Sequence, residues 1–149
     1  MICWHQRLGP SGRDTLKFGA ALLGGVTAIY ALLLNVQARR GSAATKFIER
    51  WNDPKFEECR KAISATLDGE FDKIEVHTTR HALNFFEELA ICAHRKEADE
   101  EILRDFFYTV ALMYFRSTHT WIKERRQLRN QPTAYIHYEK LYGRWESKT

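Results

Sequence analysis

The sequence predicts an all-α protein, with one N-terminal transmembrane helix followed by a compact bundle of four to five helices. Three observations support this prediction. Residues 18–36 form an uncharged apolar segment, the rest of the chain places apolar residues at helical spacing, and glycine and proline are scarce after residue 41. We expect a flexible lead-in over 1–14, an anchor over 15–40 and a helical bundle over 42–149.

Length and composition limit the function classes. A chain of 149 residues is enough for an anchor and one soluble domain. The net charge of +4 is small and spread along the chain, so nucleic acid is not an expected partner. Cys3, Cys59 and Cys92 form no CxxC motif, and an odd count disfavours a disulfide framework. A reducing compartment is therefore expected for the C-terminal domain.

The apolar segment Phe18–Val36 has the length of a membrane span. Its nineteen residues would make a helix of roughly 28 Å, close to the hydrocarbon thickness of a bilayer. Lys17 precedes it and Arg39-Arg40 follows it, and such cations can reach the headgroups. We expect a single-pass membrane protein that contacts the lipid bilayer.

Two alternatives to an anchor stay open. Val36-Gln37-Ala38 fits a signal-peptidase site, although the apolar run is long for a signal peptide, and a buried soluble helix would seldom be so uniformly apolar. Three cations before the segment and four after it nearly balance, so the positive-inside rule does not decide orientation. The free cysteines and Arg39-Arg40 favour a cytoplasmic C-terminal domain.

Small residues line one face of the predicted anchor. Ala20, Gly24 and Ala28 recur at every fourth position, with Ala21 and Gly25 beside them. Such a groove lets a second helix approach closely, which predicts a homo-oligomer or a partner's membrane helix. The alternative is that alanine and glycine are common in membrane helices anyway.

Capping and helix-breaking residues predict where the first two helices of the bundle begin and end. We expect a break at Gly41-Ser42, with Ser42 capping a helix that runs to about Trp51. Asp53 and Pro54 predict the start of a second helix, which ends near Leu67. Its expected buried face is Phe56, Cys59, Ile63 and Leu67.

Three further helices complete the prediction. The third covers about 75–95, Asp99 caps the fourth, and Pro132 closes the fourth and starts the last. Their expected buried residues are mostly aromatic, which predicts an aromatic core of an antiparallel bundle. These residues are Ala82, Phe85, Phe86, Leu89 and Cys92; Leu103, Phe106, Phe107, Val110, Met113, Tyr114 and Trp121; and Tyr135, Tyr138, Leu141, Tyr142 and Trp145.

Several of these segments carry a family resemblance. The features are the leading apolar span, the RWNDP turn at 50–54, LNFFEELAI at 83–91, EEILRDFF at 100–107, and the aromatic helix that ends at Trp145. On these features the chain resembles an uncharacterised bacterial family of small, single-pass membrane-anchored helical proteins, catalogued as a domain of unknown function. The resemblance implies a fold and an anchor, and no activity.

Two histidines are candidate metal ligands. His77 and His81 share a helix face at the spacing of helical zinc ligands, and Glu87, Glu88 or His94 could complete a site. The segment HTTRH lacks the glutamate of the metalloprotease motif, and Arg80 adds a positive charge. Surface histidines are the alternative that we favour.

Glu87 and Glu88 lie inside an apolar stretch. One of them could be a general acid with a raised pKa. We favour a structural ion pair instead, with a basic residue such as Arg60 or Arg104.

A basic cluster ends the fourth helix. Its members are Lys123, Arg125, Arg126 and Arg129, with Arg144 and Lys148 near them if the last helix folds back. Cations at a helix C-terminus complement the dipole, which is reason enough for their presence. The functional interpretation is contact with anionic lipid.

The sequence holds no GxSxG motif, no phosphate-binding glycine loop and no cysteine with an evident activating histidine. We expect no enzyme activity and no cofactor. The leading hypothesis is a membrane-tethered helical protein-interaction module that can self-associate. The alternatives are an oligomerising membrane-perturbing effector of the toxin or defence type, and a membrane-bound metal-dependent hydrolase.

Overall fold

The computed structural model describes the backbone of residues 10–67 and 76–147, and side chains from residue 23 onward. Within these residues the fold is all-helical, as predicted, and contains no strand. The elements are α1 (Pro10–Asn52), a 3-10 turn (Pro54–Phe56), α2 (Glu57–Leu67), α3 (Val76–His94), α4 (Glu100–Leu128) and α5 (Ile136–Glu146). Contacts divide the chain into two compact units, Met1–Ala38 and Arg39–Thr149.

The helix α1 is unbroken at Gly41-Ser42, so the predicted break and the Ser42 cap are wrong. A single glycine in a helix interior costs only about 1 kcal/mol. Ala44 and Phe47, one turn further on, are buried in the bundle core, and their packing outweighs that cost. At the other end α1 begins at Pro10, inside the expected lead-in.

The predicted membrane anchor falls on α1. Among the residues whose side chains are described, no helix has a stretch long and apolar enough to cross a bilayer. The side chains of residues 18–22, the first five of the predicted span, lie outside that part of the chain.

Both predicted aspartate caps are confirmed. The Asp53 carboxylate accepts the backbone N–H of Lys55 at 2.8 Å, with Pro54 in the first helical position. Asp99 accepts the N–H groups of Glu101 and Ile102 at 3.0 and 3.3 Å. Each carboxylate satisfies donors that the first helical turn leaves without partners.

The connection between α3 and α4 is a short, closely bonded turn. Lys96 lies in the left-handed region at φ 57°, and the N–H of Glu97 donates to Cys92 at 2.9 Å. This is a Schellman C-cap, with lysine where glycine is usual. The N–H of Asp99 donates to Arg40 at 3.1 Å, which ties the turn to α1. A connection this short makes α3 and α4 antiparallel neighbours.

Aromatic rings fill the centre of the bundle, as predicted. Trp51, Phe85 and Phe107 come from α1, α3 and α4, and their ring centroids lie 5.5 to 5.7 Å apart. Tyr138 of α5 stacks on Phe86 of α3 at 5.0 Å. Such pairs add about 0.5–1.5 kcal/mol each beyond the burial of their surface. The core thus joins four of the helices.

Part of the buried face predicted for α4 is wrong. Phe106 and Met113 are each 44% exposed, whereas Phe115 and Ile122 are buried. The helix has 29 residues and is apolar on more than one side, so its spacing fits two overlapping stripes. Packing decides between them, because Phe115 contacts Tyr138 of α5, with ring centroids 5.1 Å apart.

The last helix begins at Ile136 rather than at Pro132. Its far end is fixed by Glu100, at the start of α4. The Glu100 carboxylate accepts the indole N–H of Trp145 at 2.9 Å and a guanidinium N–H of Arg144 at 3.3 Å. A buried indole with its donor satisfied holds the end of α5 on the bundle.

Candidate functional site

The glutamates inside the apolar stretch of α3 have different partners. Glu88 forms an ion pair with Arg50 at 2.6 Å, and both side chains are substantially exposed. Glu87 is half-buried, and its carboxylate accepts the backbone N–H groups of His137 and Tyr138 at 3.2 and 2.7 Å. A carboxylate of α3 therefore caps the N-terminus of α5, where a negative charge is favourable.

The predicted ion-pair partners were wrong. Arg60 donates to the backbone carbonyls of Trp51 and Asp53 and so braces the turn before α2. The guanidinium of Arg104 lies over the ring of Tyr108. The sequence singles out both glutamates because they lie inside an apolar stretch. It does not predict their partners, because those lie on α1 and α5.

The candidate metal ligands His77 and His81 are both exposed on α3. No group of three or more His, Cys, Asp or Glu side chains that could hold a metal occurs among the described residues. The Nδ1 atom of His81 lies 3.1 Å from the Sγ atom of Cys59, a contact that the sequence analysis missed. No spacing rule predicts this contact from the sequence, because the two residues are 22 positions apart on different helices.

The contact between Cys59 and His81 does not resemble an activated nucleophile. Cys59 is buried, and burial raises the pKa of its thiol, with the nearby Glu58 carboxylate acting in the same direction. Reactive cysteines have lowered pKa values in electropositive, partly exposed surroundings. The arrangement favours a structural thiol.

The basic cluster at the end of α4 divides between two surfaces. Arg126 is held by Glu139 at 2.8 Å and donates to the carbonyl of Ala134 at 2.8 Å, so it fastens α4 to α5. Together with Lys123 it borders an open depression. Arg125 and Arg129 face a different cavity.

That second cavity has a volume of about 250 Å³ and a positively charged lining. Arg80 contributes from α3, and the end of α4 and the following loop supply the rest. Its lining residues are Arg80, Trp121, Arg125, Arg129, Gln131, Ala134 and Tyr135. No acidic side chain is among them. The guanidinium of Arg125 lies 5.0 Å from the centre of the Trp121 ring.

Two residues with positive φ shape the loop that borders this cavity. Asn130 lies in the left-handed region at φ 51°, and the N–H of Gln131 donates to Arg126 at 3.0 Å, which closes α4 with a Schellman C-cap. Tyr135 also has a positive φ, of 58°, although it is neither glycine nor asparagine. Burial raises the pKa of the Tyr135 hydroxyl, and the Glu87 carboxylate acts in the same direction, while Arg80, Arg125 and Arg129 oppose that shift. Tyr135 and these three arginines line the same cavity.

The sequence indicates Arg125 and Arg129 as members of a basic cluster, but it predicts no role for Arg80 and only a core position for Tyr135. Antiparallel packing of α3 on α4 is what brings the start of one helix to the end of the other. An arginine near a predicted helix start, where the dipole disfavours a cation, was the available signal.

The small-residue face lies in the first unit. Ala28 is exposed, and a Cβ atom placed on Gly24 or Gly25 would meet nothing within 4 Å. The side chains of Ala20 and Ala21 lie outside the described residues. Large apolar neighbours are exposed as well, from Leu23 at 71% to Val36 at 46%.

One family model, described as a domain of unknown function (DUF4760), matches residues 18–145. The match confirms the resemblance to an uncharacterised family that is catalogued as a domain of unknown function. No curated protein and no solved structure matches the chain.

Proposed function

We propose that this chain, which belongs to the DUF4760 family of domains of unknown function, is a membrane-tethered helical interaction module without catalytic activity. The observation that carries the proposal is a helical stretch whose large apolar side chains are exposed. Between Leu23 and Val36 they are Leu23, Val26, Ile29, Tyr30, Leu32, Leu33, Leu34 and Val36. Burying one such aliphatic side chain is worth about 1.5–3 kcal/mol, and a bilayer would bury all of them together.

One of the polar groups within this stretch, the hydroxyl of Thr27, needs no water. The hydroxyl of Thr27 lies 2.9 Å from the carbonyl oxygens of Leu23 and Gly24, one helical turn earlier. A hydroxyl that bonds within its own helix is compatible with hydrocarbon, where an unpaired polar group is costly. Together with the five apolar or small residues 18–22, the stretch has the length of a span.

Membrane fractionation of the full-length protein tests the tether. We expect the chain to remain in the pellet after carbonate extraction. A Val26→Arg/Ile29→Arg double variant should be released, since two arginines near the centre of a span cost on the order of 5–7 kcal/mol. Leu128→Arg is the matched control, because Leu128 is an exposed leucine of the bundle. Release of the wild type by carbonate would overturn the tether.

Protease protection in the cells used for fractionation tests on which side of the membrane the bundle lies. A C-terminal tag that resists external protease in intact cells is the result expected of a cytoplasmic bundle. A shortened, exported form would instead identify Val36-Gln37-Ala38 as a cleavage site. Depolarisation of the membrane on expression would favour the membrane-perturbing effector over the interaction module.

We propose the partner to be a second copy of this chain, bound through Gly24, Gly25 and Ala28. Open space beside these small residues lets a second backbone approach closely. Gly24→Leu should lower the yield of crosslinked dimer in bilayers. Gly143→Leu is the control, since a Cβ at Gly143 also meets nothing within 4 Å but belongs to α5. Equal crosslinking in both variants would contradict this partner.

A further inference from the structure

We infer that the cavity lined by Arg80, Arg125, Arg129, Trp121 and Tyr135 binds a compact phosphate-bearing anion. The inference goes beyond the proposed function and does not depend on a membrane tether. It rests on the charge of the cavity, on the absence of a carboxylate partner for its arginines among the described residues, and on its size.

The arginines of this cavity differ from others in the bundle. Arg50, Arg116, Arg126 and Arg144 each have a glutamate within 2.6 to 3.3 Å. Within the described part of the chain, the guanidinium groups of Arg80, Arg125 and Arg129 have no carboxylate partner. Three like charges around one cavity repel each other, and an anion between them removes that repulsion.

The helix dipole does not account for the whole set. Arg125 and Arg129 lie at the C-terminus of α4, where cations are favourable. Arg80 lies near the start of α3, where a cation gains nothing from the dipole. A bound anion would explain why all three converge. Guanidinium groups present forked donors that match the oxygens of a phosphate.

The loop geometry supports a prepared site. Tyr135 lines the cavity with its backbone in the left-handed region, at φ 58° and ψ 29°. Strained residues of this kind occur preferentially at ligand sites. Here the strain places a phenol, a hydrogen-bond donor, beside the three guanidinium groups.

The size of the cavity selects among anions. Its volume of about 250 Å³ lies below the roughly 300–1,000 Å³ of pockets that enclose drug-sized ligands. The Trp121 ring already carries Arg125 on one face, which leaves less room for a stacked base. A phosphate or phosphomonoester fits better than a whole nucleotide. Its source can be a soluble phosphate compound or the headgroup of an anionic phospholipid.

Calorimetric titration of the full-length protein in detergent tests the site. The two probes are inorganic phosphate and a water-soluble, short-chain phosphatidic acid. We expect binding that Arg80→Gln and Arg125→Gln each weaken at least about tenfold, the loss of one charge-assisted hydrogen bond. Lys123→Gln removes the same charge from the other surface of α4 and should leave the affinity unchanged.

Each outcome bears on the inference. Arg80-dependent binding of inorganic phosphate supports a soluble ligand, and Arg80-dependent binding of phosphatidic acid alone supports a headgroup. If Lys123→Gln weakens binding as much as Arg80→Gln, or if neither probe binds, the inference is overturned. Thermal unfolding followed by circular dichroism confirms that the compared variants are folded.

Discussion

The two units of the chain differ in whether their apolar side chains are buried or exposed. In the described part of the first unit, leucine, isoleucine and valine side chains are exposed around the helix. In the second unit the buried residues gather into one cluster that includes Leu83, Leu103 and Trp145, each at most 1% exposed. The second unit can stabilise itself by internal burial, whereas the described apolar side chains of the first unit stay exposed and gain nothing from it.

The two units contribute differently to the stability of the fold and to association. Burial of the aromatic core in residues 39–149 accounts for a folded domain. The apolar surface of the first unit adds little to folding and is therefore free to serve association. Four pairs of substitutions follow: the first pair compares the two units, and the other three compare positions within the second unit. They are ordered from the largest to the smallest effect expected of the first substitution in each pair.

Leucine truncations in the two units should differ most. Leu103→Ala removes a fully buried side chain and should lower the free energy of unfolding by about 2–5 kcal/mol. Leu33→Ala changes an exposed side chain and should alter it by less than about 0.5 kcal/mol. Denaturant unfolding of both variants in detergent measures the difference. Equal losses would show that the first unit folds as part of the core.

Removing the cap between α3 and α5 should come next. Glu87→Ala leaves two backbone N–H groups of α5 without their acceptor, at a loss of about 1–3 kcal/mol. Glu88→Ala is the control, because its exposed ion pair with Arg50 is worth at most about 1 kcal/mol. The same unfolding measurement compares the two. A larger loss from Glu88→Ala would contradict the capping role.

A stabilising change is expected at Lys96. Glycine adopts a positive φ without the steric penalty of a side chain, so Lys96→Gly should raise the free energy of unfolding by about 0.4–1 kcal/mol. Lys140→Gly, in the middle of α5, should instead destabilise by up to about 1 kcal/mol. Opposite signs in thermal melts would confirm that backbone conformation decides the effect.

The smallest effect is expected at Phe106, an exposed aromatic residue of the bundle. Phe106→Ser should change the free energy of unfolding by no more than about 0.5 kcal/mol. Phe107→Ser, one residue further on, removes a fully buried ring and should be severely destabilising. Similar losses at the two positions would indicate that Phe106 is covered in solution.

Local features of this fold could be predicted from the sequence. The Asp53 and Asp99 caps depend on residues two or three positions away, so their chemistry is visible in the chain itself. The buried face of α3 was predicted well because Phe85, Phe86 and Leu89 repeat at helical spacing.

Long-range features could not be predicted in the same way. The acceptor for the N-terminus of α5 is Glu87, 50 residues before His137, and no spacing rule connects them. The cavity needs Arg80 beside Arg125, which depends on how two helices pack. Phe106 was placed in the core because spacing alone cannot tell which side of a long apolar helix faces its neighbours.

The capping of α5 by α3 has a consequence during synthesis. With 11 residues and no side-chain cap of its own, α5 is shorter than the roughly 12–15 residues at which isolated helices become even marginally stable. Its stability therefore depends on packing against α3 and α4, and on the Glu87 carboxylate that α3 presents to its N-terminus. Translation from Glu87 to Tyr138 takes roughly 3–10 s at 5–20 residues per second. For those seconds Phe86 lacks its stacking partner, and the nascent chain is most open to chaperones and to aggregation.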